Sequence, residues 1–224
     1  GGSGIFLGTL LDPPSEASVD AAIYSLEKIG AVAVTGGDGA DRGLALTPLG
    51  MHLAGIPAPP CVGKMLIMGS LLGCRNAALA MAAGMSVGRS PFLKVDVFKF
   101  QRRGKAGAAD EEEESREEMQ QKKVVEERKA LLKSVGNSDL AMLAAAYMKW
   151  DAVGSGGGEK RRFCDTLGLS FNGLRDMKQL VRQLDSSLNA AGYFSSKEAE
   201  KNSDSWRIIR TCAGSALSPR SPVW

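Results

Sequence analysis

Histidine and cysteine, the residues that most often hold metals or form disulfide frameworks, are scarce in this chain. Its one histidine is His52, and its four cysteines are scattered without any Cys-x-x-Cys pair. Zinc sites and disulfide-rich scaffolds need such residues at short spacings, so both are excluded and a reducing compartment is favoured. His52 also lacks a nearby carboxylate or cysteine at a spacing typical of a catalytic pair. We therefore expect no catalytic residue and no metal ligand in this chain.

Aromatic residues and long apolar runs are also few. Aromatic residues make up 6% of the 224 residues and hydrophobic residues 44%, which is typical of a helical protein rich in alanine, leucine and methionine. Gly, Arg and Asn interrupt the longest apolar run, so no transmembrane helix and no membrane partner are expected. The net charge of +3 is too small to indicate a nucleic-acid partner, because the distribution of charge matters more than its sum.

Residues 11–65 carry the densest signals for helix and strand boundaries. Ser15 is a good N-cap, and it precedes an apolar stripe at helical spacing, formed by Val19, Ile23, Leu26 and Ile29. AVAV and LAL follow as two short strands around a turn rich in glycine and aspartate, and Thr47 then caps a second helix that begins with proline. Helix, hairpin and short helix predict a winged-helix unit over residues 5–60.

Residues 61–97 alternate apolar runs with small residues and predict two packed helices, with Gly69 at a close approach between them. Gly63-Lys64 looks like the end of a phosphate-binding loop. The pattern fails, because Ala58 stands where the first glycine should be and Met65 where a serine or threonine should be. No other stretch matches that pattern, so this segment contains no nucleotide-binding motor.

Residues 98–136 are dense in charge and low in complexity, with four glutamates in a row. Such runs usually mark solvated or disordered segments, although a helix is predicted from about residue 114 to residue 132. Binding of a protein partner is a second interpretation of this charged insert.

The last long helix, predicted over residues 172–191, has the most informative surface. Its apolar side consists of Leu174, Met177, Leu180, Val181, Leu184 and Leu188. The opposite side carries Asn172, Arg175, Lys178 and Arg182. The sequence SGGGEKRR just upstream is predicted to be a flexible loop, and it ends with Arg161 and Arg162. Spacing alone leaves two interpretations: a positive stripe that follows phosphates, or a solvated face with ordinary surface cations.

A second candidate for contact with nucleic acid is the Ser-Pro-Phe sequence that begins at Ser90, with Arg89 beside it. The alternative interpretation is a helix terminator whose phenylalanine is buried.

Several long patterns resemble one protein family. LLDPPSEASVDAAIYSLEKIGAV and LTPLGMHLAGIPAPPCVGKML resemble the start of the helicase-associated region of DEAH-type ATP-dependent RNA helicases. GSLLGCRNAALAMAAGMSVGRSPF resembles the first helices of the helical ratchet domain in that family. NSDLAMLAAAYMKW and RRFCDTLGLSFNGLRDMKQLVRQLDSSLNAAGYF resemble the remainder of that domain.

The resemblance implies a mainly α fold, in which a winged helix with a small β-hairpin precedes a helical-bundle (ratchet) domain. The implied divisions are a winged helix (5–60), a ratchet domain in two parts (61–97 and 137–194), the charged insert between them as an expanded linker (98–136), and a lead-in to a missing OB-type domain (195–224).

The resemblance also implies a function. In this family the winged helix braces two RecA-like motor domains, and the ratchet domain holds single-stranded RNA as the motor steps. The implied partners are single-stranded or structured RNA and the motor domains of the same protein. ATP and Mg would belong to those motor domains, and no cofactor is expected in this segment. The residues expected to contact RNA are Arg89, Ser90, Arg161, Arg162, Asn172, Arg175, Lys178 and Arg182. One departure is Leu140, because the family usually has histidine after the preceding Ser-Asp.

Two other functions are consistent with the sequence. A stand-alone winged-helix regulator would need a basic recognition helix, yet the helix after Ser15 offers only Lys28. A helical adaptor would bind protein through the charged insert. The chain begins GGSG without an initiator methionine, so we expect a piece of a longer protein. We expect it in the cytoplasm, with the nucleus as the alternative.

Overall fold

A computed structural model describes residues 9–35, 43–94, 110–154 and 156–217 of the chain. In chain order the elements are α1 (Glu16–Lys28), β1 (Val32–Thr35), β2 (Gly43–Leu46), α2 (Pro48–Ala54), α3 (Pro60–Leu71), α4 (Arg75–Ser86), α5 (Asp110–Ser134), α6 (Asp139–Ala152), α7 (Gly157–Leu167), α8 (Phe171–Ala190), a 3₁₀ turn (Glu198–Glu200) and α9 (Trp206–Leu217). The predicted mainly α fold, with a hairpin followed by a helical bundle, is confirmed.

The first part of the chain has the predicted order of helix, hairpin and helix. The N-cap predicted for α1 is confirmed, because Ser15 Oγ accepts a hydrogen bond from the Ser18 backbone N–H at 3.2 Å. β1 and β2 pair antiparallel, with Val32 opposite Leu46. The turn between the strands lies outside the described residues, and the winged-helix assignment itself stays a prediction.

Thr47 joins the first two helices. Its hydroxyl accepts a hydrogen bond from the Gly50 N–H at 3.0 Å, which caps α2 as predicted, and it donates to the Gly30 carbonyl at 2.6 Å. Even so, no side chain of α1 is fully buried. The apolar stripe of this helix is half-buried, and Leu26 and Ile29 are the members of it that pack against the core.

The core of the bundle is built around α4, which packs against α3, α6 and α8, while α9 packs against α3. Seven successive residues of α4, from Ala77 to Ala83, are buried. Alanine and glycine let these helices approach closely: a Cβ added to Gly69 on α3 would lie 2.3 Å from the Cβ of Ala78. The close approach predicted at Gly69 is therefore confirmed.

The helix predicted inside the charged insert is present as α5, and it is longer than expected. Val124 and Leu131 on this helix, and Val135 just after it, are buried. The second half of the insert thus packs against α6 and α7 as part of the bundle. The first part of the insert, residues 98–109, lies outside the described residues.

The loop predicted for SGGGEKRR was wrong, because α7 begins inside this sequence, at Gly157. Glycine costs about 1 kcal/mol in a helix interior, but the burial of Cys164 and Leu167 further along the same helix offsets that cost. The helix ends at Gly168, whose φ of +58° is a left-handed conformation that glycine adopts without strain. In the described ranges, no helix has the length and apolar character needed to cross a membrane.

Candidate nucleic-acid interface

Helix α8 presents one apolar and one polar side, as its sequence predicts. Ser170 caps the helix by accepting a hydrogen bond from the Gly173 N–H at 3.1 Å. On the apolar side Leu174, Met177, Leu184 and Leu188 are buried, and Leu180 and Val181 are half-buried. This burial fixes the rotation of α8, so that its polar side faces away from the core.

Three of the four residues predicted on that polar side are exposed: Asn172, Arg175 and Arg182. Neither arginine forms an ion pair with any residue that the structure describes. Lys178 differs from them, because its ammonium lies 2.5 Å from the carboxylate of Asp151 at the end of α6.

A second lysine reaches the same carboxylate from α7. The ammonium of Lys160 lies 3.9 Å from the Asp151 carboxylate and 3.4 Å from the backbone carbonyl of the same residue. It also sits over the ring of Trp150, 4.3 Å from the ring centroid, which is a cation–π contact. Asp151 therefore links the end of α6 to both α7 and α8. Nothing in the sequence signalled this link, since Asp151 and Lys178 are 27 residues apart.

The charges of Asp151 and Arg182 both affect the pKa of Tyr147, which lies one turn before Asp151 on α6. Burial raises the pKa of Tyr147, and the negative charge of Asp151 raises it further, whereas the positive charge of Arg182 opposes the shift. Both Asp151 and Arg182 are thus close enough to Tyr147 to act on it.

The two arginines predicted on α7 are placed differently. The guanidinium of Arg161 lies over the ring of Phe171, 5.5 Å from its centroid, and so stands at the N-terminal end of α8. Arg162 is exposed, and its side chain forms no hydrogen bond, ion pair or ring contact in the described ranges. The structure brings Arg161, Asn172 and Lys178 to one region and leaves Arg162 beside it.

The turn that contains Arg89 and Ser90 lies against the start of α8. The backbone N–H of Ser170 donates to the carbonyl of Pro91 at 2.8 Å, and Phe92 pairs with Leu169 in an isolated antiparallel bridge. Both Arg89 and Ser90 are exposed. This turn is therefore held next to the start of α8, although it is distant from Asn172 in sequence. Contact with RNA stays a prediction for all eight residues.

Arg128 on α5 fixes this turn from behind, and it was not among the predicted residues. Its guanidinium donates to the carbonyls of Leu167, Gly168 and Leu93 at 2.8, 2.6 and 3.0 Å, and it lies 5.1 Å from the centroid of the Phe92 ring. A signal existed in the sequence, because Arg128 falls on the same side of α5 as the buried Val124, four residues earlier.

A groove of about 400 Å³ opens between this turn and α6. Ser90, Phe92 and Arg128 line one side, and Leu140 and Leu143 line the other. Leu140, the position at which the chain departs from the family that it resembles, therefore gives the groove an apolar wall beside Ser90.

A buried polar cluster holds the far end of α8. Arg75 on α4 is 1% exposed and is paired with Asp185. It also donates to Asn189 Oδ1 at 3.0 Å and to the Tyr193 carbonyl at 3.2 Å. A buried charge is tolerated only with such partners, so this cluster fixes α8 against α4. Sequence reasoning missed it, because Arg75 and Asp185 are 110 residues apart.

His52 lies in α2 with its ring 5.5 Å from the ring of Tyr193, in an edge-on packing arrangement. Within the described part of the chain, no three histidine, cysteine, aspartate or glutamate residues are grouped so that they could hold a metal ion.

Comparisons with known proteins agree with the fold. The profile of the family described as "Helicase associated domain (HA2), ratchet-like" matches residues 59–143, which span α3, α4, α5 and the start of α6. The human ATP-dependent DNA/RNA helicase DHX36 is 30% identical over 226 aligned positions, which cover 98% of this chain and 19% of that protein.

Other relatives give the same result. The ATP-dependent RNA helicase dhx29 of Xenopus laevis is 30% identical over 201 positions, covering 88% of this chain and 12% of that protein. The DExH-box ATP-dependent RNA helicase DExH1 of Arabidopsis thaliana is 32% identical over 193 positions, covering 86% of this chain and 16% of that protein. The chain spans less than a fifth of the length of these relatives. It belongs to the DEAH/DExH-box helicases, as a helicase-associated segment from their C-terminal region.

Proposed function

We propose that this segment grips single-stranded RNA while the motor domains of the intact helicase step along it, and that the polar side of α8 makes the main contacts. The observation that carries this proposal is the pair Arg175 and Arg182. Both guanidinium groups are exposed and without ion-pair partners in the described residues, on a helix whose other side is buried. Seven residues of helix place them about 10 Å apart along the axis, so each would contact a different phosphate of one strand.

The flanking residues extend the proposed contact surface. Arg89 and Ser90 lie on the turn that is hydrogen-bonded to the start of α8, and Arg161 lies over Phe171 at the same end. Asn172, in the first turn of α8, would donate to a phosphate or a base edge. Arg162 would contribute less, because no hydrogen bond, ion pair or ring contact holds its side chain in the described ranges.

The second half of the proposal concerns the N-terminal part, which would brace the motor domains of the same protein. ATP and Mg would bind in those motor domains. No side chain of α1 is fully buried, and Tyr24, Leu46 and Met51 are exposed. Apolar side chains in water cost free energy, and burial under another domain would remove that cost. In the full-length protein, we expect Tyr24→Ser/Leu46→Ser to lower RNA-stimulated ATP hydrolysis and to leave RNA binding by the isolated chain unchanged.

Fluorescence anisotropy of labelled single-stranded RNA tests the RNA contact directly. We expect Arg175→Ala/Arg182→Ala to weaken binding about tenfold, because two charge-assisted phosphate contacts are lost. The matched control is Lys122→Ala/Lys133→Ala, which removes the same charge from exposed positions on α5. Equal losses in the two double mutants would mean that binding follows net charge alone, and a preference for duplex DNA would favour the stand-alone regulator.

A further inference from the structure

Asp151 places a negative charge next to the positive side of α8. Its carboxylate lies 2.5 Å from the ammonium of Lys178 and 3.9 Å from that of Lys160. The carboxylate is 38% exposed and the Lys178 side chain 32% exposed, so the pair sits at the surface, where an approaching anion can reach it. The Lys160 side chain, at 14% exposure, is held beneath by the ring of Trp150.

The Asp151 carboxylate pairs with the Lys178 ammonium much as a phosphate would. Both groups present anionic oxygens, and both form short charge-assisted hydrogen bonds with an ammonium. While Asp151 holds Lys178, the charge of that lysine is neutralised at short range, and a phosphate nearby meets the repulsion of the carboxylate. Arg175 and Arg182 carry no such partner in the described residues, so Lys178 differs from them in state although it shares their helix side.

This inference rests on the proposed function. We infer that Asp151 competes with the RNA backbone for Lys178. In the free chain Asp151 holds this lysine, and the ion pair must break before a phosphate can bind there. On the polar side of α8, Arg175 and Arg182 are thus free to bind phosphate, whereas Lys178 binds phosphate only after it exchanges Asp151 for it.

Exchange of the Asp151 carboxylate for an RNA phosphate at Lys178 suits a segment that must hold RNA and then release it as the strand moves. A contact that replaces an existing ion pair gains less free energy than a contact made by a free cation, so the grip at Lys178 is weak and easily reversed. Removing Asp151 should tighten the grip at this one position.

The test is RNA anisotropy across a salt series with Asp151→Asn. The matched control is Asp176→Asn, which removes the same charge from an exposed position of α8 without an ion pair in the described part of the chain. We expect Asp151→Asn to bind about threefold more tightly than the control, and its salt slope to be steeper by about 0.7, the value for one extra phosphate contact on a single strand.

A double-mutant cycle assigns the gain to Lys178. Lys178→Gln should change affinity by less than about twofold in the wild type, where Asp151 already holds the lysine, and should abolish the gain in Asp151→Asn. Thermal unfolding of each variant shows whether it is folded. Asp151→Glu, which keeps the charge, is the second variant, and it should bind RNA like the wild type.

The outcomes separate the two proposals. If Asp151→Asn binds no better than Asp176→Asn, or if its gain persists with Lys178→Gln, Asp151 does not compete for Lys178, and the inference is overturned. If Arg175→Ala/Arg182→Ala weakens wild-type binding in that same case, the proposed function stands. If the wild type binds no RNA at any salt concentration, the proposed function fails and this inference fails with it.

Discussion

The N-terminal part and the helical bundle differ in how completely each buries its own apolar side chains. In residues 9–58 the apolar stripe of α1 is only half-buried, and Tyr24, Leu46 and Met51 are more than half exposed. In the bundle, by contrast, α4 carries seven successive buried residues and α8 four buried apolar side chains. Both α1 and α8 carry apolar residues at helical spacing, so that spacing indicates which side of a helix faces inward but not how deeply it is buried.

This difference suggests a division of roles. The bundle buries the apolar side of α8 and leaves charge on its outer side, which suits contact with a hydrated polyanion. The N-terminal part leaves apolar side chains in contact with water, which suits contact with another folded domain. Substitutions at matched positions should therefore have different effects in the two parts.

Matched leucine truncations should separate the two parts most clearly. Leu188 on α8 is fully buried, whereas Leu26 on α1 is half-buried. We expect Leu188→Ala to lower the free energy of unfolding by about 3 kcal/mol and Leu26→Ala by about 1 kcal/mol, because only the first leaves a closed cavity. Denaturant unfolding followed by circular dichroism measures both. Equal losses would show that α1 is buried as deeply as α8 in solution.

Two glycine substitutions test the close packing of the bundle. At Gly69 an added methyl group would lie 2.3 Å from the Cβ of Ala78, while at Gly214 on α9 nothing lies within 4 Å. Gly69→Ala should cost about 2 kcal/mol because α3 and α4 must move apart. Gly214→Ala should stabilise by about 0.5 kcal/mol through helix propensity. Melting temperatures that shift in the same direction would contradict the close approach of these helices.

The second half of the charged insert should behave as part of the bundle. Arg128 donates to three carbonyls, whereas its neighbour Lys129 is exposed and 3.9 Å from Glu126. Arg128→Met should cost about 2 kcal/mol, because the carbonyls lose their donor, and Lys129→Met should be nearly neutral. Urea denaturation of the two variants decides the matter. If they proved equally stable, α5 would not be anchored at Arg128.

The smallest expected effect depends on pH. Burial raises the pKa of Glu200, with a hydrogen bond from the Asn76 N–H acting in the other direction. A raised pKa means that the folded chain holds this proton more tightly than the unfolded chain does. Protonation of Glu200 therefore stabilises the folded state fully below the ordinary pKa of 4.5, and this stabilisation is lost as the pH rises through the raised pKa. Glu200→Gln should remove that decline, as measured by melting temperature from pH 4 to 8.

Local features of this fold were predictable, because the signals lie within a few residues of each other. The capping residues Ser15 and Thr47 begin their helices as predicted, and the apolar side of α8 follows from its spacing. Side-chain pairs that join distant elements were not predictable. Lys178 stands on the predicted polar side, yet its pairing with Asp151 depends on where the end of α6 lies relative to α8.

The helix α7 shows the other limit of sequence reasoning. Local propensity favours a loop for consecutive glycines, but packing of Cys164 and Leu167 against the rest of the bundle outweighs it. Of the eight residues predicted to contact RNA, the structure gathers most around α8, whereas Arg162 is exposed on α7 and forms no ion pair or ring contact in the described residues. Spacing along one helix could predict the polar side of α8, whereas the placement of α7 and of the turn at Ser90 against that helix required the tertiary structure.

Photo-crosslinking tests the central claim, which is that the polar side of α8 is the surface that holds RNA. Single-stranded RNA that contains 4-thiouridine would be irradiated with the purified chain, and the crosslinked peptides would be identified by mass spectrometry. We expect crosslinks in peptides from α8 and from the turn at Arg89 and Ser90, and we expect them to decrease in Arg175→Ala/Arg182→Ala. Crosslinks concentrated on α5 around Lys122 and Lys133, or on α1, would contradict the claim.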